Sequence, residues 1–256
     1  MNTQVELTSE APSSILIEEV SPIVDGGRYP IKREVGDRVD VQADIFREGH
    51  EHLLACIQYR PVDEKAWREV PMHFVDNDRW GGSFVVDRNT MWEYRVLAFP
   101  DVIGSWQEEM EKKLAAGVPV ASELQEGVLH LRELLIRTDA SGTHLIETAM
   151  KAAESTADHA AAYAILSSSA VKAIVAEAMP RHGAATSSTY RVFADRIQAR
   201  YAAWYSLFPR SMGTEEGQSA TFADVERQLP RIAGMGFDVL YFTPIHPISH
   251  SKRKGR

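Results

Sequence analysis

The chain has 256 residues, 28 Lys plus Arg against 36 Asp plus Glu, and a formal net charge of −8. With 44% hydrophobic and 25% charged residues it has the apolar mass for folded cores, which excludes a wholly disordered chain, and its length suits one large domain or two to three small ones. No stretch approaches the roughly 20 apolar residues of a membrane helix, net acidity argues against a nucleic-acid partner, and the single cysteine, Cys56, excludes an intrachain disulfide and a cysteine zinc site.

Residues 1–14, MNTQVELTSEAPSS, are polar and read as a flexible start without the charged-then-apolar pattern of a secretory signal, so the expected compartment is the cytoplasm. From residue 15 to residue 104 the chain reads as strands. Val39, Val41, Ala43 and Ile45 alternate with Asp40, Gln42 and Asp44; Leu53, Ala55, Ile57 and Tyr59 repeat the period of two, as do Trp92, Tyr94 and Val96. Turn signals at Asp25-Gly26-Gly27, at Glu34 to Asp37 and at Asp76-Asn77-Asp78 separate the runs. This spacing suggests a β-sandwich of immunoglobulin type. Asp76-Asn77-Asp78 lacks the downstream Gly and Glu of a calcium loop and reads as a polar hairpin turn.

Residues 105–183 read as a helical bundle. Ser105 with Glu108 and Ser122 with Gln125 have capping-box spacing. Leu124, Val128, Leu131 and Leu135 fall on one helical face. The alanine-dense stretch from Asp158 to Met179 reads as one helix, ended by Pro180, His182 and Gly183. His130, His144 and His159 are isolated and read as surface or packing residues.

Residues 184–256 change character again. Tyr190 to Phe193 and Ala202 to Phe208 are strand-like. Thr221 to Ala233 is an amphipathic helix with Phe222, Val225, Leu229 and Ile232 on one face, Thr221 as its N-cap and Gly234 and Gly236 as its stop. Asp238 to Thr243 is an apolar run of the kind found in a parallel strand covered on both faces. Strand, helix, strand make one β/α unit, fewer than a third of the residues of a (β/α)8 barrel, which takes roughly 250. Asp195, Asp224 and Asp238 read as cap, surface or turn groups. No phosphate-binding glycine pattern follows a strand, and the basic cluster Lys252 to Arg256 has no aromatic platform on which bases stack.

Trp204-Tyr205-Ser206-Leu207-Phe208-Pro209-Arg210-Ser211 resembles the first barrel strand of the α-amylase superfamily, and Gly236 to Ile248, ending Phe242-Thr243-Pro244-Ile245-His246-Pro247-Ile248, is similar to its second-strand region. Together with Ala199 to Tyr205 and the closing Arg253-Lys254-Gly255-Arg256, nearly the whole chain resembles the α-1,4-glucan:maltose-1-phosphate maltosyltransferase branch of that superfamily. The resemblance implies a multidomain α and β protein: an N-terminal immunoglobulin-like β-sandwich, an inserted α-helical bundle, then the first β/α unit of an incomplete (β/α)8 barrel. It implies a retaining glycosyltransferase that moves maltosyl units from maltose 1-phosphate to the non-reducing end of an α-1,4-glucan acceptor with release of phosphate, as a homodimer and without metal or organic cofactor. The Asp nucleophile and the Glu acid/base of that double displacement belong to later barrel strands, so the 256 residues alone are expected to be inert, with a poorly soluble last zone. Lys254 is the one residue that the resemblance assigns to substrate, as a point charge for the sugar phosphate. Tyr205, Pro209, Arg210 and His246 are expected to shape the barrel floor and pocket wall. Two alternatives stand beside this reading. One is a non-catalytic module for glucan binding or dimerisation, with Trp67, Trp80, Trp92 and Trp106 as candidate sugar platforms. The other is an amylase-type glycoside hydrolase, against which the helical insert argues.

Overall fold

The computed structural model describes residues 14–49, 51–246 and 251. Strands β1 (Ile15–Ser21), β3 (Arg38–Arg47), β7 (Arg79–Val85) and β6 (His73–Asp76) form one sheet in the order β1-β3-β7-β6. A second sheet runs β2-β10-β8-β4-β5, from β2 (Ile31–Glu34), β10 (Tyr190–Asp195), β8 (Met91–Pro100), β4 (Leu53–Pro61) and β5 (Arg68–Pro71), with β9 (Ala185–Thr186) also paired to β8. By packing, the chain divides into two compact units. The first comprises the residues up to Ile31 with Arg38–Val85 and Thr90–Phe193; the second comprises Lys32–Asp37, Val86–Asn89 and Ala194 onward.

In the first unit the alternation read from the sequence sets which side of each strand is buried. Val39, Val41, Ala43 and Ile45 are all buried, while Asp40 and Gln42 face solvent. The two sheets meet through aromatics: Tyr59 of β4 stacks on Phe84 of β7 with centroids 4.5 Å apart, and Phe84 lies 5.7 Å from Tyr94 of β8. The Tyr94 hydroxyl, taken out of water, donates to the Pro22 carbonyl at 2.6 Å. Asn77 (φ 42°) and Asp78 (φ 66°) are the two-residue loop between β6 and β7, with positive φ at both positions as a type I′ hairpin turn requires.

β4 departs from simple alternation because both of its faces are covered in the middle. Ile57 faces the other sheet, and Cys56 on the opposite face joins Leu97 and Phe99 beneath Leu54, Met179 and Ala184. Tyr190 to Phe193, grouped by the sequence with the last zone, pairs instead with β8 as an antiparallel strand, Val192 opposite Trp92.

Five helices leave the sheet after β8 and return before β9: α1 (Val102–Ala115), α2 (Ala121–Leu134), α3 (Ala140–Glu154), α4 (His159–Leu166) and α5 (Ser169–Ala178). They share a core of Ile103, Trp106, Met110, Leu131, Leu134, Ile146, Leu166 and Val171. Three local expectations are corrected. The first helix starts at Val102, not at Ser105, because Asp101 accepts from the Gly104 amide at 2.8 Å; the Ser105 hydroxyl instead accepts from the His52 amide. The second starts at Ala121 after Val120, and the Ser122 hydroxyl is spent on Glu123 rather than on a capping box. The alanine-rich stretch is two helices bent by 49°. Ser167 donates its hydroxyl to the Tyr163 carbonyl and Ser168 turns extended (ψ 153°), so the break falls at a serine pair in spite of alanine's propensity on either side.

The second unit contains β11 (Trp204–Leu207), α6 (Phe222–Gly234) and β12 (Val239–Phe242). β11 and β12 are parallel, Trp204 opposite Val239 and Leu207 opposite Phe242. Val225 and Ile232 of α6 pack with Leu207 beneath Tyr205, Phe237 and Leu240. Phe222 and Leu229, expected on the same buried face, are 57% and 41% exposed, and β12 is only half-buried. One helix covers one side of a two-stranded pair, so Phe222 and Leu229 stay outside the buried cluster of Leu207, Val225 and Ile232.

Candidate functional site

The parallel register ends β11 and β12 at one level, and the segments that follow both strands open on a single cleft of about 480 Å3. Phe208, Pro209 and Arg210 enter it from β11, Thr243 to His246 from β12, and Ala220 and Phe222 from the start of α6. Ligands of parallel α/β sheets bind at the carboxyl ends of strands, because the loops there are free to vary over a fixed scaffold.

Three details hold this end in shape. Pro209 begins a short 3-10 turn, Pro209–Ser211, and the Arg210 carbonyl accepts from the Ala220 amide at 3.0 Å, which closes the long loop onto the strand end. Phe222 stacks on Phe242 at 5.9 Å and so forms part of the cleft wall. The Asp224 carboxylate accepts from both the amide and the hydroxyl of Thr221, at 2.6 and 2.8 Å, and these bonds hold it below the usual carboxylate range. Asp224 is therefore a cap group. Asp238 accepts from the Ala203 amide at 2.9 Å, and Asp195 accepts from the Arg196 amide and pairs with Lys32. None of these three carboxylates lines the cleft.

The structure brings Pro209, Arg210 and His246 together, with the Arg210 and His246 side chains exposed in the cleft. Tyr205 lies elsewhere: it packs edge-on against Phe237 at 5.0 Å, on the α6 side of β11. Lys254 lies outside the described residues. Phe208, Phe222 and Thr243 line the cleft, a role the sequence did not assign to them. Their signal was adjacency to Pro209 and His246, and Phe222 was read as helix core.

Trp67, Trp80, Trp92 and Trp106 do not make a sugar platform. Trp80, Trp92 and Trp106 are buried, and Trp67 is half-buried with the guanidinium groups of Arg60 and Arg95 at 4.2 and 4.4 Å from its ring. His130 pairs with Glu126 one helical turn away, while His144 faces solvent.

Residues 13–196 match the family described as alpha-1,4-glucan:maltose-1-phosphate maltosyltransferase, domain N/S. Curated relatives of that name include one from Myxococcus xanthus, 40% identical over 259 residues, covering 97% of this chain and 38% of the relative. Another is from Chlorobaculum tepidum, 39% identical over 247 residues, covering 94% of this chain and 36% of the relative. A third, from Pseudomonas aeruginosa, is 37% identical over 249 residues with the same two coverages, 94% and 36%. The chain thus spans less than two fifths of the length of these three relatives. With most of its residues inside the match, the chain belongs to the alpha-1,4-glucan:maltose-1-phosphate maltosyltransferase family.

Proposed function

We propose that this chain is the leading part of a retaining transferase that carries maltosyl units from maltose 1-phosphate to the non-reducing end of α-1,4-glucans and releases phosphate. The observation that carries the reading is the cleft at the common carboxyl end of β11 and β12, with the cationic Arg210 and the hydrogen-bonding His246 and Thr243 on its wall. Lys254 follows His246 by eight residues and adds a second cation for the phosphate. A retaining double displacement needs two carboxyl groups only about 5–5.5 Å apart, one as nucleophile and one as acid then base. No carboxylate lines the cleft among the described residues, so the chemistry falls to residues beyond these 256.

In this reading residues 15–104 are an immunoglobulin-like sandwich, completed by β9 and β10; residues 105–183 are a helical insert; and the rest, from residue 184 apart from those two strands, begins a (β/α)8 barrel. The order of the elements and the pairing of β10 with β8 support that division. The protein acts as a cytoplasmic homodimer and takes no metal or organic cofactor.

The test is phosphate release from maltose 1-phosphate with glycogen as acceptor. The complete protein is expected to release phosphate and lengthen the glucan, and the 256-residue chain alone to release none. Phosphate release by the 256 residues alone overturns the reading.

A further inference from the structure

β12 is reached through α6 and not by a hairpin, so no tight turn sets its register against β11. The apolar pattern does not set it either. Val239, Leu240, Tyr241 and Phe242 run without a polar break, and a slip of one residue would put one apolar side chain where another had been. Such a slip carries a strand about 3.3 Å along its neighbour. It displaces by the same amount whatever follows the strand.

One contact singles out the observed register. Asp238, the only charged residue from Gly236 to Thr243, stands directly before β12, and Ala203 stands directly before β11. The Ala203 amide donates to Asp238 Oδ2 at 2.9 Å, and the Ala203 carbonyl accepts from the Asp238 and Val239 amides at 2.9 and 3.2 Å. Both hydrogen-bonding groups of the Ala203 backbone are thus held by one end of β12. In a slipped ladder the strands' own backbone bonds re-form between new partners, whereas the Ala203 amide loses its carboxylate. At the other end of the pair Leu207 stands opposite Phe242. Pro209 and Arg210 follow the first strand into the cleft, and Thr243 to His246 follow the second.

We propose that Asp238 is a positioning residue of this cleft: by pinning Ala203 it fixes the register of β11 and β12, and with it the level of Arg210 relative to His246. Its part in maltosyl transfer rests on the transferase reading; the pin itself does not. Asp238 lines no part of the cleft and acts only through the two strands.

The test uses the complete protein and three variants. Asp238→Ala removes the acceptor. Asp238→Asn keeps an acceptor oxygen at the same reach without the charge, and Asp238→Glu keeps the charge but moves the oxygen by one methylene. The expected result is a KM for maltose 1-phosphate raised severalfold by Asp238→Ala and Asp238→Glu, with kcat near native, and a native KM in Asp238→Asn. Amide exchange at Ala203 is expected to quicken by about twofold to tenfold in Asp238→Ala, the worth of one hydrogen bond, and to stay native in Asp238→Asn. A merely structural loss lowers the amount of active enzyme, hence kcat, and leaves KM alone. If Asp238→Ala does not fold, Asp238→Asn against Asp238→Glu decides. A KM unmoved in a folded Ala or Glu variant, or raised as much by Asn as by Glu, overturns the positioning role and keeps the transferase reading. A native protein that releases no phosphate overturns that reading, and exchange at Ala203 in the variants then upholds or overturns the pin by itself.

Discussion

The indole of Trp106 occupies the space that a side chain at Gly127 would need: a Cβ there would lie 2.1 Å from Trp106 Cζ2. Gly127 is in the interior of α2, where glycine costs about 1 kcal/mol relative to alanine. The close approach it permits buries Trp106, whose Nε1 donates to the Glu123 carbonyl at 2.7 Å and whose ring meets Tyr163 at 5.7 Å. Gly127→Ala is therefore expected to destabilise the bundle despite alanine's better propensity, by about 1–3 kcal/mol as overpacking does. Urea unfolding followed by tryptophan fluorescence measures it. A double-mutant cycle with Trp106→Leu is expected to show the two positions strongly coupled.

Cys56 is expected to resist alkylation in the folded chain. Burial pushes its thiol up to about 11, Glu69 adds to the shift and Arg181 opposes it. Because the thiolate is the nucleophile, a shift from 9.0 to about 11 lowers the reactive fraction at pH 8 by roughly 100-fold. Iodoacetamide labelling at pH 8, with and without denaturant, checks this. The raised value carries a linkage too: the neutral thiol's stabilisation is complete below pH 9.0 and is lost as pH rises through about 11, so alkaline unfolding is expected to ease across that window.

Arg200 clamps the segment that leads into β11. Its guanidinium pairs with Glu34 and Asp37, and that contact, followed by the Glu34 amide, lowers the Asp37 carboxyl from 3.8 to about 2. A lowered carboxylate contributes stability above its unfolded value, lost as pH falls from about 4 through about 2. The group is exposed, so added salt weakens the clamp. Arg200→Ala is expected to speed amide exchange at residues 196–203 at neutral pH and to abolish the acid-dependent part of that exchange. Hydrogen-exchange mass spectrometry reads both.

In the complete protein, Lys254→Ala is expected to raise KM for maltose 1-phosphate about tenfold or more. Hydrogen bonds to charged groups are worth about 1.5–3 kcal/mol, and each 1.4 kcal/mol is tenfold. Arg210→Ala, at the wall of the cleft that follows β11 and β12, is expected to raise it by a smaller factor. Initial-rate measurements of phosphate release separate KM from kcat.

Local periodicity made much of the sheet legible, as at Val39 to Ile45, because a strand with one wet face writes its orientation into every second residue. It misled where both faces are covered, as at Cys56, since burial against Met179 and Ala184 comes from residues more than a hundred positions away. Helix starts were misplaced because capping boxes at Ser105 and Ser122 are local patterns, whereas Asp101 caps α1 from the end of β8. The helix α3 was not singled out at all. At the cleft, Pro209, Arg210 and His246 were found through the wording of their loops. Phe222 was lost to its helical period, which cannot tell a face that meets a core from one that meets a pocket.

The helical excursion between β8 and β9 begins and ends at nearly one place. Ala185 pairs with Ala98, and a Cβ on Gly183 would touch the Pro100 ring at 4.0 Å. Closing a loop costs entropy that grows only with the logarithm of its length, so the sheet tolerates a long detour almost as readily as a short one. Replacing residues 102–178 by a few glycines and serines would leave every strand its partner. Met179 and the ion pair between Arg181 and Glu69 would remain at the junction, still guarding the one thiol. No strand pairing of the sheet runs through a helical residue.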